Sequence, residues 1–137
     1  MTDDQAAQIA TLLNERNRLS RSYDAARVLE SASEYELEEH GGRVIACVQR
    51  RRVQWYQWEI CHLSVHKDWE GRGIGHKLYL RAATFAQQHG ARILQCTIRE
   101  GNEESERFFD RQGFTRVATF ANESSGYRVG VWIKSIA

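Results

Sequence analysis

Three glycines at alternate positions, with one arginine among them, stand in the stretch Trp69-Glu70-Gly71-Arg72-Gly73-Ile74-Gly75-His76. Glycine turns tightly and leaves bare backbone that another molecule can approach. An apolar run ends at Val65 and a helical pattern begins near Ile74, so the turn opens into a helix. The first amides of a helix lack internal acceptors and lie at the positive end of its dipole. The chemistry indicated is anion binding, most naturally of a phosphate or pyrophosphate. There is no Gly-Lys-Ser or Gly-Lys-Thr, which separates the turn from a P-loop. The spacing also lacks the third glycine and the later ribose-binding acid of a dinucleotide fold.

Other conspicuous groups point to packing first. Cys47, Cys61 and Cys96 are an odd number without metal-type spacing. Each lies in an apolar stretch, where free cysteine behaves as a small hydrophobe. They suit a reducing, cytoplasmic setting, and no metal is expected. Arg50-Arg51-Arg52 reads as a solvated turn or strand end, and Glu36, Glu38 and Glu39 as a solvated strand face. Trp55, Tyr56 and Trp58 are core aromatics with one partly exposed member. The 137 residues carry a formal net charge of +1 and are 42% hydrophobic and 27% charged. Bulk charge therefore argues for neither nucleic acid nor a membrane surface as partner. No apolar run is long enough to span a bilayer, and the polar start does not read as a signal peptide.

The elements that must hold the turn follow from periodicity. Residues 3–19 carry Ala6, Ile9, Ala10, Leu12, Leu13 and Leu19 at helical spacing, with Asp3 or Asp4 as cap and arginines at the far end. A short helix is expected over 23–30, with Ala26 and Leu29 inward. Strands are expected over 34–38, 43–49 and 54–65, with a turn at His40-Gly41-Gly42. They form an antiparallel meander. After the glycine turn, Ile74, Leu78, Leu80 or Arg81, Ala82, Phe85 and Ala86 make a buried helical stripe that ends at Gly90. The strand over 92–98 follows directly, so it should lie parallel to the strand before the turn. Asn102 caps a short helix through Arg111, and two strands close the chain at 115–120 and 127–133. The class is α+β, a mixed sheet with antiparallel arms around one parallel step. The length suits one domain over 1–137.

In this context Glu70-Gly71-Arg72-Gly73-Ile74-Gly75 resembles the Gln/Arg-x-x-Gly-x-Gly/Ala turn of the GCN5-related N-acetyltransferase (GNAT) family. A second family motif is similar to Asn102-Glu103-Glu104-Ser105-Glu106-Arg107-Phe108-Phe109-Asp110-Arg111-Gln112-Gly113-Phe114. The resemblance covers about residues 33–133 and implies the acyl-CoA N-acyltransferase fold. In that fold the fourth and fifth strands splay apart; the family's usual first strand has no counterpart here. Acetyl-CoA is the implied acyl donor. Its pantetheine arm would pair with the backbone of Leu63, Ser64 and Val65, like an added strand. Its pyrophosphate would sit on amides from Gly71, Arg72, Gly73, Ile74, Gly75 and His76, and Asn102 would contact the pantetheine.

Acetyl transfer needs a neutral amine, a stabilised oxyanion and a tolerated thiolate. Glu59 lies on the apolar fourth strand, eleven residues before Glu70, at the position of the family's catalytic glutamate in its histone-acetylating members. It is the candidate base. His62, on the opposite face by alternation, is the second candidate. The oxyanion would meet a backbone amide at Leu63 or nearby. Two residues depart from the family pattern. Glu70 sets an acid beside the pyrophosphate unless it points away, with Arg72 as offset. Phe109 stands where a tyrosine usually protonates the thiolate, which leaves Tyr127 or water for that role. The resemblance implies a small-molecule or peptide amine as acceptor partner, with a homodimer as a further option. Phe109 and Glu70 also favour an alternative of another class, an acyl-CoA-binding sensor or interaction module without turnover.

Overall fold

The computed structural model describes residues 1–17 and 22–136. The elements are α1 (Asp3–Arg16), α2 (Ala25–Glu30), β1 (Tyr35–His40), β2 (Arg43–Gln54), β3 (Gln57–Val65), α3 (Ile74–Gln88), β4 (Ile93–Arg99), α4 (Glu103–Arg111), β5 (Thr115–Ala121) and β6 (Arg128–Ser135). The strands hydrogen bond in the order β1-β2-β3-β4-β6-β5. β1 and β2 are antiparallel, as are β4 and β6, and β5 and β6. β3 and β4, on either side of α3 in sequence, are parallel. The mixed α+β sheet expected from the sequence is the observed one.

The chain divides into two compact units, Met1–Arg51 with Ile60–Phe85, and Arg52–Glu59 with Ala86–Ala137. In the first, α1 buries Ala6, Ile9, Ala10, Leu12 and Leu13 against Val28, Tyr35, Val44 and Cys47. Each fully buried leucine or isoleucine there contributes about 1.5–3 kcal/mol. In the second, Leu94, Cys96 and Ile98 line the inner face of β4, and Phe109 and Phe114 are buried with them in the unit's core.

Several local expectations are corrected. The cap of α1 is Thr2, not Asp3 or Asp4; its hydroxyl accepts the Gln5 amide while the Gln5 side chain accepts the Thr2 amide. This reciprocal box satisfies two donors at once, which a lone aspartate would not. Leu19, Arg18 and Arg21 lie outside the described residues. α2 starts after the Asp24 cap and buries Val28, while Ala26 is exposed. Arg50-Arg51-Arg52 is not a turn but continues β2, and the turn is Trp55-Tyr56. The Arg50 guanidinium lies 3.4 Å from the centre of the Phe85 ring and donates to the Ser33 carbonyl at 3.0 Å, so the arginine is buried in mid-strand. On α3, Leu78, Ala82 and Ala86 are buried as expected, but Tyr79 takes the buried place expected of Leu80 or Arg81, and Leu80 is exposed.

Candidate active site

The first unit holds the glycine turn. A short 3-10 turn, Lys67–Trp69, carries the chain from β3 to Glu70. Gly71 and Gly73 have φ of 75° and 77°, a region closed to most side chains, and a Cβ at either would meet nothing within 4 Å. The turn is thus strained for any residue but glycine, and its surface is open. The hydrogen-bond ladder of α3 begins with Lys77 donating to the Gly73 carbonyl at 3.0 Å. Helix geometry gives the amides of Ile74 and Gly75 no partner in that ladder. Open backbone and helix dipole together suit a pyrophosphate, so the residues present fit the phosphate end of acetyl-CoA.

Glu70 does not burden this site. Its carboxylate pairs with the Arg16 guanidinium at the end of α1. Arg72 does not offset it; that guanidinium lies 4.5 Å from the centre of the Trp69 ring.

β3 leads into the turn. Ser64 is buried and its hydroxyl accepts from the Asn17 amide at 2.9 Å. Leu63 and Val65 are half-buried, and Val65 Cγ2 would lie 3.6 Å from a Cβ at Gly75. The register with β4 comprises Gln57↔Ile93, Trp58↔Leu94 and Glu59↔Gln95, although β3 continues to Val65.

His62 breaks the alternation of β3. Its φ is 54°, the one non-glycine residue with positive φ among those described. Its imidazole and the Cys61 thiol both reach Gln49 Oε1, at 2.8 and 3.6 Å. Consecutive side chains therefore share one face. Burial, with Arg27 and Arg51 nearby, holds the His62 imidazolium down to about 4. At neutral pH it is an uncharged hydrogen-bonding group and a poor proton acceptor.

In the second unit Glu59 is 7% exposed and lies on β3 beside Gln57, whose amide bonds to Gln95. The Cys96 thiol is pushed up by burial and then by the Glu59 carboxylate, and stays protonated. Cys47, in the first unit, is pushed up to about 12 by burial. Both match the expected inert core cysteines. Asn102 caps α4, its carbonyl accepting the Ser105 amide at 3.3 Å. That bond turns the amide NH2 into the end that can donate to a ligand. Phe109 is buried, edge-on to Phe108 and Phe114 at 5.1 Å each. Tyr127 is half-buried, with the Arg99 guanidinium 5.0 Å from its ring centre.

A cavity of about 240 Å³ between α1 and the start of β2 is lined by Gln8, Thr11, Arg43 and His66, among others, and contains none of the candidate site residues. Among the described residues no group of three or more His, Cys, Asp or Glu side chains is placed to hold a metal, and no helix is long and apolar enough to cross a membrane. Sequence reasoning missed Arg16, Tyr23 and Gln49. The signal for Gln49 was a polar residue within an apolar strand; nothing in the periodicity marked the other two.

The pattern of the Acetyltransferase (GNAT) family matches residues 6–114. The chain belongs to this family. An uncharacterized N-acetyltransferase of Methanocaldococcus jannaschii is 33% identical over 70 residues, covering 51% of this chain and 29% of that protein. The chain thus spans under a third of that relative's length. Among solved structures, Ard1 from Thermoplasma volcanium superposes with a TM-score of 0.87 at 16% identity, covering 100% of this chain and 95% of the other. The putative acetyltransferase yncA of Salmonella typhimurium, solved with acetyl-CoA, gives 0.81 at 18% identity, covering 98% and 90%. At these identities the likeness is one of fold, and the mixed sheet is that of GNAT acyl-CoA N-acyltransferases.

Proposed function

We propose that the chain is one acetyltransferase domain that moves an acetyl group from acetyl-CoA to a primary amine by direct attack in a ternary complex. The observation that carries this reading is the open turn at Gly71 and Gly73, feeding the amides of Ile74, Gly75 and His76 at the head of α3, with Glu70 tied away by Arg16. A molecule of acetyl-CoA also accompanies the similar fold of yncA.

Acetyl-CoA supplies the activated acyl group. The amides from Gly71 to His76, with Arg72 at the rim, bind the pyrophosphate. The backbone of Leu63, Ser64 and Val65 pairs with the pantetheine as an added strand. The Leu63 amide donates to the carbonyl oxygen as negative charge develops there. In the second unit, Asn102 donates its NH2 to the pantetheine and Phe109 gives an apolar contact. Glu59 takes the proton of the ammonium, directly or through water. The amine lone pair then forms the C–N bond as the C–S bond breaks, and the acylated nitrogen sheds its second proton to water. Tyr127 or a water returns a proton to the thiolate. A metal has no part in this scheme.

Thiol release from acetyl-CoA with a panel of alkylamines, amino acids and short peptides tests the reading. Turnover on at least one amine is expected. Tight CoA binding without turnover on any amine would instead favour the acyl-CoA sensor, which the buried Phe109 in place of a proton donor supports.

A further inference from the structure

The first unit contains a directed chain of hydrogen bonds that the scheme above leaves unused. Tyr23 Oη lies 3.2 Å from His62 Nε2, His62 Nδ1 lies 2.8 Å from Gln49 Oε1, and Gln49 Nε2 lies 2.7 Å from Glu34 Oε1. The last link sets the sense of the others. A carboxylate only accepts, so the Gln49 NH2 must face Glu34 and its carbonyl must face His62. An amide carbonyl also only accepts, so His62 carries its proton on Nδ1. Nε2 is then bare and takes the hydroxyl proton of Tyr23. The single proton of Tyr23 is committed, and its oxygen can act toward any further group only as an acceptor.

The chain is held at Tyr23 and at His62. Asn14 clamps the Tyr23 backbone through two bonds, from its amide to the Tyr23 carbonyl at 2.9 Å and from the Tyr23 N–H to its own carbonyl at 2.8 Å. The Tyr23 and His62 rings meet edge to face at 5.0 Å, and the Arg27 guanidinium lies 4.1 Å from the centre of the Tyr23 ring. The His62 carbonyl is met by the Cys47 thiol at 3.7 Å. A positive φ on a non-glycine residue costs about 1–3 kcal/mol. Here it turns the imidazole onto the face of Cys61, directly before Leu63.

We propose that Tyr23 is a specificity-determining residue whose phenolic oxygen accepts an N–H of the attacking amine, oriented for that role by the positioning residues His62, Gln49 and Glu34. This rests on the reading of the chain as an amine acetyltransferase and adds to it the group that recognises the amine. A neutral amine offers N–H donors, which the Tyr23 oxygen accepts. An alcohol has one donor proton, which its attack must give up to the base, and a thioester carbonyl offers none. Tyr23 therefore favours amines and is excluded as the donor to the oxyanion. His62 is held uncharged, so it orients Tyr23 and does not store the amine's proton.

Nitrogen-15 NMR of histidine-labelled protein tests the direction of the chain without turnover. His62 is expected as the Nδ1–H tautomer, the minor form of a free neutral imidazole. Tyr23→Phe should keep that tautomer, and Gln49→Leu should move it toward Nε2–H. With CoA saturating, n-butylamine and an alanine-initiated tetrapeptide serve as amine probes. A probe-induced shift at His62 Nε2 that is lost in Tyr23→Phe supports recognition. Where an amine turns over, Tyr23→Phe should raise its KM about tenfold, the factor for about 1.4 kcal/mol, with the KM for acetyl-CoA unchanged. An Nε2–H tautomer in the unaltered protein overturns the proposal, as does the absence of any probe-induced shift or an unchanged amine KM in Tyr23→Phe. Failure of acetyl transfer itself gives a different pattern, with the probe shift present and no thiol released.

Discussion

Acidification should unfold this protein partly through His62, and Asn at that position should remove the effect. The folded imidazole protonates only near 4, against an ordinary value of 6.5. Burial is the larger cause; the Arg27 and Arg51 guanidinium groups add to it. Tyr23, Gln49, Cys61 and the Cys47 thiol, which also meet the residue, supply no negative charge that would hold a proton there. Below pH 6.5 the unfolded chain takes up a proton that the folded chain refuses, so stability falls as pH falls. The contribution is complete above 6.5 and is lost on passing down to 4. Each pH unit in that window is worth about 1.4 kcal/mol, so the loss amounts to about 3 kcal/mol. Asparagine does not titrate and tolerates positive φ better than most residues. Urea unfolding at pH 7.5, 6.5, 5.5 and 4.5 would give the curves for the native sequence and for His62→Asn. His62→Asn should be the less stable at pH 7.5, since it loses the bonds to Tyr23 and Gln49, and the gap should narrow steadily below 6.5. Parallel curves would refute the reasoning, because they would mean that His62 is as easily protonated folded as unfolded.

Other outcomes follow from single contacts. Glu59→Gln should lower kcat about a hundredfold or more, with CoA affinity unchanged by calorimetry. Arg16→Ala releases the Glu70 carboxylate beside the phosphate site, so CoA affinity should fall, and Arg16→Ala/Glu70→Gln should restore it. The exposed pair itself should cost under about 1 kcal/mol when broken. Gly73→Ala forces a side chain into φ of 77°; a loss of about 1 kcal/mol in stability is expected in thermal unfolding, with weaker protection by CoA. Arg50→Ala empties a buried site bonded to Ser33 and stacked on Phe85, and should cost about 3 kcal/mol, read by denaturant unfolding.

The elements were legible where one periodic pattern dominated. The stripe of α1, the glycine stops, the Asn102 cap and the parallel step across α3 all appear in the structure where the residues put them. Boundaries failed where a partner distant in sequence settled the matter. A run of three arginines favours solvent by itself, yet β2 continues through it because Phe85 and Ser33 accept Arg50.

The site divides in the same way. Local chemistry was enough to mark the glycine turn, since backbone conformation and helix amides are properties of neighbouring residues. Glu59 and Asn102 were singled out by the resemblance to the family, not by local chemistry. The neutralisation of Glu70 was settled by Arg16, from the other end of the first unit. The face of His62 was settled by a positive φ that strand alternation does not contain. The direction of the chain from Tyr23 to Glu34 depends on four side chains from separate parts of the sequence, each restricting which atom of the next carries a proton. Periodicity and motif spacing are one-dimensional and determine what a segment is. Which charges meet, and which way a hydrogen bond points, depends on contacts that exist only once the segments are packed.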